Sequence, residues 1–167
     1  GMDKNELESA MHLSSKDFET VRIKNDLGKF GFGLKSASFS QCKELTVISR
    51  KKTFDFFCYK WDLTYVKKNN DWSVDEVSAK DIDALLLANN IANFDQGTVV
   101  IWTNCDRVLN NNMDSLNNQK YLAELIDDTR KHLSLIYHKY LNKGLTILIN
   151  GNKISAMDPF CEKGVEG

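Results

Sequence analysis

The strongest constraint on the fold is a series of short strand-like runs with little chain between them. Glu44–Arg50 and Gly97–Trp102 are rich in β-branched and aromatic residues, a composition that favours strands. Thr53–Trp61 is a further run of this kind, separated from the first only by Lys51 and Lys52. Because so short a connection joins antiparallel neighbours, the pattern predicts an antiparallel hairpin.

Helical patterns lie on both sides of these runs. Asp3–Leu13 has its apolar residues on one face, and Asp3 can cap the helix with Glu6 three residues further on. The longest pattern keeps a helical period of apolar residues and has Gly144 just past its end. The other predicted helices, with this long one last, are Leu34–Cys42, Lys80–Asn90 and Tyr121–Leu141.

The order of these elements predicts the fold class. After the long helix, Leu145–Ile149 reads as a strand, and Asn150–Gly151 is a strong hairpin turn into Lys153–Ile154. Helices that cover one face of a mixed, largely antiparallel sheet give a two-layer α+β sandwich. With 167 residues and no linker or repeat, we expect one domain over residues 1–167.

Composition excludes several classes of function. The formal net charge of −1 gives no basic surplus for nucleic-acid binding. No apolar run is long enough to span a bilayer and no signal peptide is visible, so we expect a cytoplasmic protein without a membrane partner. The four cysteines are scattered and form no C-x-x-C pair, which argues against a structural zinc site.

Three closely spaced glycines are the main chemical signal. Gly28, Gly31 and Gly33 precede the predicted helix that starts at Leu34. Glycines let backbone N–H groups approach a ligand closely, and a helix N-terminus adds free N–H donors, so the pattern is typical of a phosphate cradle. Lys35 could add a positive charge near the terminal phosphate. A plain flexible turn stays open as the alternative, since the spacing is not that of a Walker A motif.

These residues resemble those of the GHKL ATPases, the superfamily of gyrase, heat-shock chaperones, histidine kinases and MutL. The resemblance is greatest to the branch that includes the MORC proteins. In this superfamily a G-x-x-G-x-G box ends an ATP lid, begins a helix and holds the phosphates by its backbone amides. The residues carried over from that box and the helix after it are Gly28, Lys29, Phe30, Gly31, Phe32, Gly33, Leu34 and Lys35.

Two later stretches extend the resemblance along nearly the whole chain in the expected order. The run from Gln96 to Asp106 resembles a G-T box, which implies that Thr98 helps to hold adenine. The run from His132 to Phe160 resembles the last helix, strand and turn of the branch. The resemblance implies a Bergerat-type ATP-binding fold with a lid at about 14–32 and a long helix at about 119–141. It further implies ATP and magnesium as cofactors, a possible homodimer and additional domains in a longer protein.

The start of the chain implies an incomplete domain. Gly1–Met2 resembles the end of the family's D-x-G-x-G-M box, whose Asp binds the adenine amino group. That Asp would precede Gly1, and so would the helix that carries the catalytic Glu and the metal-holding Asn. We therefore assign no catalytic or metal-binding residue and expect little or no hydrolysis, with nucleotide binding itself in question. The alternative is a degenerate, non-catalytic interaction module that pairs through a sheet edge.

Overall fold

The computed structural model describes residues 1–12, 33–52, 54–108 and 115–158. The chain divides into two compact units, Gly1–Leu109 and Asn110–Gly167. Each unit is described by itself. The expectation that residues 1–167 make one domain stays a prediction.

The first unit is built on a four-stranded antiparallel sheet. Its strands are β1 (Glu44–Arg50), β2 (Phe57–Asp62), β3 (Asp75–Glu76) and β4 (Gly97–Thr103), in the order β3-β2-β1-β4. The predicted hairpin is confirmed, because β1 pairs antiparallel with β2. Its connection is longer than the sequence suggested, since β2 begins only at Phe57.

Among the described residues, four helices accompany this sheet: α1 (Lys4–Met11), α2 (Gly33–Phe39), α3 (Leu63–Asn69) and α4 (Ala79–Ala88). The predicted capping of α1 is confirmed, with a capping box formed by Asp3 and Glu6. Helix α3 was not predicted. It begins where β2 ends, because the Asp62 carboxylate accepts hydrogen bonds from the N–H groups of Thr64 and Tyr65.

One face of the sheet is covered by α1 and α2. Leu7 and Met11 of α1 are fully buried against Leu45 and Val47 of β1 and Trp61 of β2. Burial of such side chains contributes about 1.5–3 kcal/mol each relative to exposure. Residues of β4 with the same parity, Thr98 among them, lie on this face because Ser49 pairs with Thr98 and Val47 with Val100.

The opposite face is covered by α4. Ile82 and Leu86 of this helix pack on Ile48 of β1, Cys58 of β2 and Ile101 of β4. The α+β class with an antiparallel sheet is confirmed, and α4 places a helix on the second face, whereas the sequence predicted helices on one face. Strand β1 is therefore buried on both sides.

The second unit contains α5 (Ser115–Ile136), α6 (His138–Asn142), β5 (Leu148–Ile149) and β6 (Asn152–Lys153). The predicted long helix begins earlier than expected and is interrupted at Tyr137, whose backbone leaves the helical region. The predicted turn between β5 and β6 is confirmed, with positive φ at both Asn150 and Gly151. Among the described residues, no helix has both the length and the apolar character needed to cross a membrane.

Candidate functional site

A buried serine connects the first residues of the chain to the sheet. The Met2 N–H donates to Ser49 Oγ at 2.7 Å. Ser49 Oγ also lies 3.1 Å from the carbonyl oxygen of Gly97 and 2.8 Å from Thr98 Oγ1. Ser49 is fully buried, whereas Thr98 is exposed. The cluster of Met2, Ser49, Gly97 and Thr98, here called the hydroxyl cluster, thus links the interior to the surface of the face that carries α1 and α2.

Glycines allow the main chain to approach the sheet so closely. A Cβ at Gly1 would lie 1.8 Å from the carbonyl oxygen of Arg50 and 2.6 Å from that of Gly97. Gly97 itself has a φ of 153°, a conformation that other residues rarely adopt. The Gly1–Met2 step can therefore lie against Arg50 and Gly97 because Gly1 has no side chain there.

Helix α2 lies on the same face as the hydroxyl cluster. Leu34 packs against the core of this face, and the indole N–H of Trp102 on β4 donates to Ser38 Oγ of α2 at 2.9 Å. Gly33 is the first residue of α2, and a Cβ added there would meet open space. The structure thus places Gly33, Leu34 and Thr98 on one face. The remaining residues of the predicted phosphate cradle, Gly28, Lys29, Phe30, Gly31 and Phe32, lie outside the described residues.

Lys35 occupies a place that the sequence did not indicate. Its side chain is only 1% exposed, and its Nζ donates to the carbonyl oxygen of Ala10 at 2.6 Å. Ala10 belongs to the last turn of α1. Carbonyl groups there lack partners within the helix, and the helix dipole has its negative end there. Burial lowers the pKa of the Lys35 ammonium below its ordinary value. In this structure Lys35 binds the end of α1.

A second side chain completes the same helix end. Trp61 Nε1 donates to the carbonyl oxygen of Met11 at 2.9 Å. Two consecutive carbonyls of α1, those of Ala10 and Met11, are therefore satisfied by buried side chains from α2 and β2. Helix α1 ends at Met11, and the next residue, His12, takes an extended conformation. The two side-chain hydrogen bonds take the place of the glycine C-cap that ends many helices.

Ion pairs hold the other end of α1, next to Met2. Lys51 Nζ lies 2.9 Å from Asp3 Oδ2 and 2.7 Å from Glu6 Oε2. The pKa of the Asp3 carboxyl is lowered, first by the hydrogen bond from the Glu6 N–H and then by the Lys51 ammonium. Side-chain hydrogen bonds thus hold the C-terminal end of α1, and ion pairs hold its N-terminal end. These contacts keep the backbone of Met2 beside Ser49.

A pocket of about 600 Å³ lies elsewhere in the first unit. It is formed by β2, β3 and α4, with Cys58 and Ile82 in its wall and the carboxylates of Asp55, Glu76 and Asp83 around it. Burial raises the pKa of the Cys58 thiol to about 12. No predicted site residue lines this pocket, and its carboxylates would repel a triphosphate. The hydroxyl cluster is therefore the better candidate for a nucleotide site.

The part of the chain that the structure describes contains no group of three His, Cys, Asp or Glu side chains arranged to hold a metal ion. Within the same residues, Cys42, Cys58 and Cys105 are free thiols.

A family model matches the region that carries this geometry. The model of the histidine kinase-, DNA gyrase B- and HSP90-like ATPases matches residues 1–98. The match covers more than half of the chain, so the chain belongs to this ATPase family. It extends from the Gly1–Met2 step to Thr98, the two segments that meet at Ser49. Comparison with curated proteins and with solved structures gave no match.

Sequence reasoning missed Ser49 as a site residue. Its one signal is a hydroxyl within a strand of otherwise mostly apolar residues, from Leu45 to Ile48. A serine at the end of a strand can be a surface residue or a buried site residue, and the sequence does not distinguish these two cases. The contact with Met2 is a tertiary one between residues 47 positions apart.

Proposed function

We propose that the first unit is the adenine-nucleotide-binding domain of an ATPase of the GHKL type. The single observation that carries this proposal is the hydroxyl cluster. It joins the Gly1–Met2 step to Thr98. The resemblance makes Gly1–Met2 the end of the box whose Asp binds adenine, and it places Thr98 next to adenine. The family match over residues 1–98 supports the same conclusion.

The proposed binding mode has a base end and a phosphate end. Thr98 is an exposed residue on the face that carries α1 and α2, so its side chain can contact a purine there. The phosphates would be bound by backbone amides of Gly28–Leu34, which precede or begin α2 in the sequence. Lys35 has no part in this binding mode, since its ammonium is buried on the carbonyl oxygen of Ala10.

From the resemblance we also propose that the protein belongs to the MORC-like branch and forms a homodimer. We further propose that it has additional domains in a longer protein and a cytoplasmic location. Magnesium would neutralise charge on the bound phosphates. The described residues offer no cluster suited to it, so we assign no residue of this chain to the ion.

Calorimetric titration with Mg-ATP tests nucleotide binding. We expect saturable binding to the wild-type chain that is weakened by Gly31→Ala, because a Cβ there would hinder close approach of the phosphates. Thr98→Val should weaken it by roughly fivefold or more, since the variant keeps the shape but loses a hydrogen bond. Thr46→Val is the matched control, because Thr46 has a buried hydroxyl on the opposite face of β1. No binding at millimolar ATP would contradict the proposal.

We further propose that this chain hydrolyses ATP slowly or not at all. Hydrolysis needs a general base to activate water, and the resemblance assigns the role of catalytic Glu to no residue of this chain. Steady-state phosphate release should be indistinguishable from a protein-free blank at sub-millimolar ATP. A turnover of about 1 s⁻¹ or more, within the ordinary range of enzymes, would show that the chain has its own catalytic base.

The alternative function is a non-catalytic interaction module. Strand β4 lies at the edge of the sheet formed by the described residues, and its Val100 and Trp102 are 44% and 43% exposed. Edge strands of this kind can pair with another chain. The calorimetric titration separates the two proposals, since an interaction module has no requirement to bind nucleotide.

A further inference from the structure

We infer that Ser49 determines base selectivity, by fixing the Thr98 hydroxyl as a hydrogen-bond acceptor toward the ligand. This inference rests on the proposed function, because it concerns the base that the nucleotide site takes. Ser49 acts through Thr98 and is a positioning residue, while Thr98 makes the contact.

The direction of each hydrogen bond follows from the groups available. A serine hydroxyl has one proton to donate and two lone pairs to accept. The Met2 N–H fills one lone pair of Ser49 Oγ at 2.7 Å. The carbonyl oxygen of Gly97, 3.1 Å away, can only accept, so this contact uses the Ser49 proton.

The remaining contact of Ser49 must then be donated by Thr98. Thr98 Oγ1 lies 2.8 Å from Ser49 Oγ, and its proton fills the second lone pair of the serine. This arrangement satisfies every hydrogen-bonding position of a fully buried hydroxyl. The reverse direction would take the Ser49 proton away from Gly97 and leave one serine lone pair empty.

Thr98 is left with two lone pairs and no free proton. Toward a ligand it is therefore an acceptor only. Adenine presents an amino group at its 6-position, which donates, whereas guanine and hypoxanthine present a carbonyl oxygen, which accepts. A fixed acceptor binds the amino group and meets the oxo group oxygen to oxygen, without a hydrogen bond. The site is thereby selective for 6-amino purines.

The test compares ATP with inosine triphosphate, which differs at the 6-position without the added 2-amino group of guanine. We expect the wild-type chain to bind ATP about tenfold more tightly or better, the discrimination of one unpaired polar group. In Ser49→Ala the Thr98 hydroxyl is free to rotate and can donate, so the ratio of the two Kd values should fall to about one or two. Thr46→Val should keep the wild-type ratio.

The ratio distinguishes positioning from a merely structural role. A structural role predicts that Ser49→Ala weakens both nucleotides equally, with the ratio unchanged, and that result would overturn the inference. Equal binding of ATP and inosine triphosphate by the wild-type chain would also overturn it, while leaving the proposed function intact. No binding of either nucleotide to the wild-type chain would overturn both.

A second pair of variants covers the case in which Ser49→Ala does not fold. Thr98 is exposed, so its variants place little demand on the core. Thr98→Ser keeps a hydroxyl next to Ser49 and should retain the preference for ATP. Thr98→Val removes the acceptor and should reduce the Kd ratio to about one or two. A Thr98→Val variant that keeps the full preference would overturn the inference.

Discussion

Lys35 shows how burial changes the part that a lysine can play. A lysine next to a glycine-rich turn suits a phosphate site, and the sequence offers no reason to expect otherwise. In the structure its ammonium is buried and donates to the last turn of α1. The ammonium is attracted to the negative end of the helix dipole. This attraction offsets part of the free-energy cost of removing the charge from water.

The lowered pKa of Lys35 leads to a prediction about stability and pH. Below the pKa of the folded state, folding transfers a charged ammonium into a buried place. As pH rises from that depressed pKa toward the ordinary 10.5, the folded state loses this proton before the unfolded state does, so the wild-type chain gains stability. Lys35→Met lacks this gain, so the free energy of unfolding of the wild type should rise relative to the variant over this range.

Urea unfolding at several pH values between 7 and 10.5 would measure the difference. Lys67→Met is a suitable control, because Lys67 is exposed in the last turn of α3. A difference between wild type and Lys35→Met that stays constant with pH would contradict the lowered pKa.

At the scale of elements, α4 depends on a local cap as well as on its apolar face. Ser78 precedes the helix, accepts a hydrogen bond from the Asp81 N–H and donates to the Asp81 carboxylate at 2.6 Å. The helix has only ten residues, too few to be stable without caps and packing. It covers the second face of the sheet through Ile82 and Leu86.

Ser78→Ala should therefore lower the free energy of unfolding by about 1 kcal/mol, the usual effect of losing a serine N-cap. A thermal melt should show a Tm lower by a few degrees. Ser73→Ala is the matched control, because Ser73 is exposed and donates only to the neighbouring Asp71 carboxylate. Equal effects of the two substitutions on the free energy of unfolding would show that the Ser78 cap does not stabilise the protein.

Across the whole molecule, the sequence predicted those elements whose signals are local. Strand β1 was predicted at its observed bounds, and the Asp3–Glu6 capping box of α1 was predicted from spacing alone. Helix α3 was missed because its Thr64, Tyr65 and Val66 have strand-forming side chains. The cap that makes it a helix comes from the last residue of β2.

Tertiary relations set the limit of prediction for the site. Thr98 was assigned through resemblance, and the structure places it on the face of the sheet that α2 covers. The position of α4 on the other face could not be predicted, since a helical period shows which residues are buried but not against which surface. The partners of Lys35 and Ser49 lie 25 and 47 residues away in sequence, and no local pattern indicates them.

The two-sided burial of β1 has a consequence for how the sequence can change over time. All five residues from Leu45 to Ser49 are buried, whereas β4 alternates over much of its length. Substitution should be poorly tolerated at every position of β1 but only at alternate positions along β4. The spacing of tolerated substitutions along a strand would then show whether one or both of its faces are covered. Among the strands of this sheet, β1 would accumulate amino-acid substitutions most slowly.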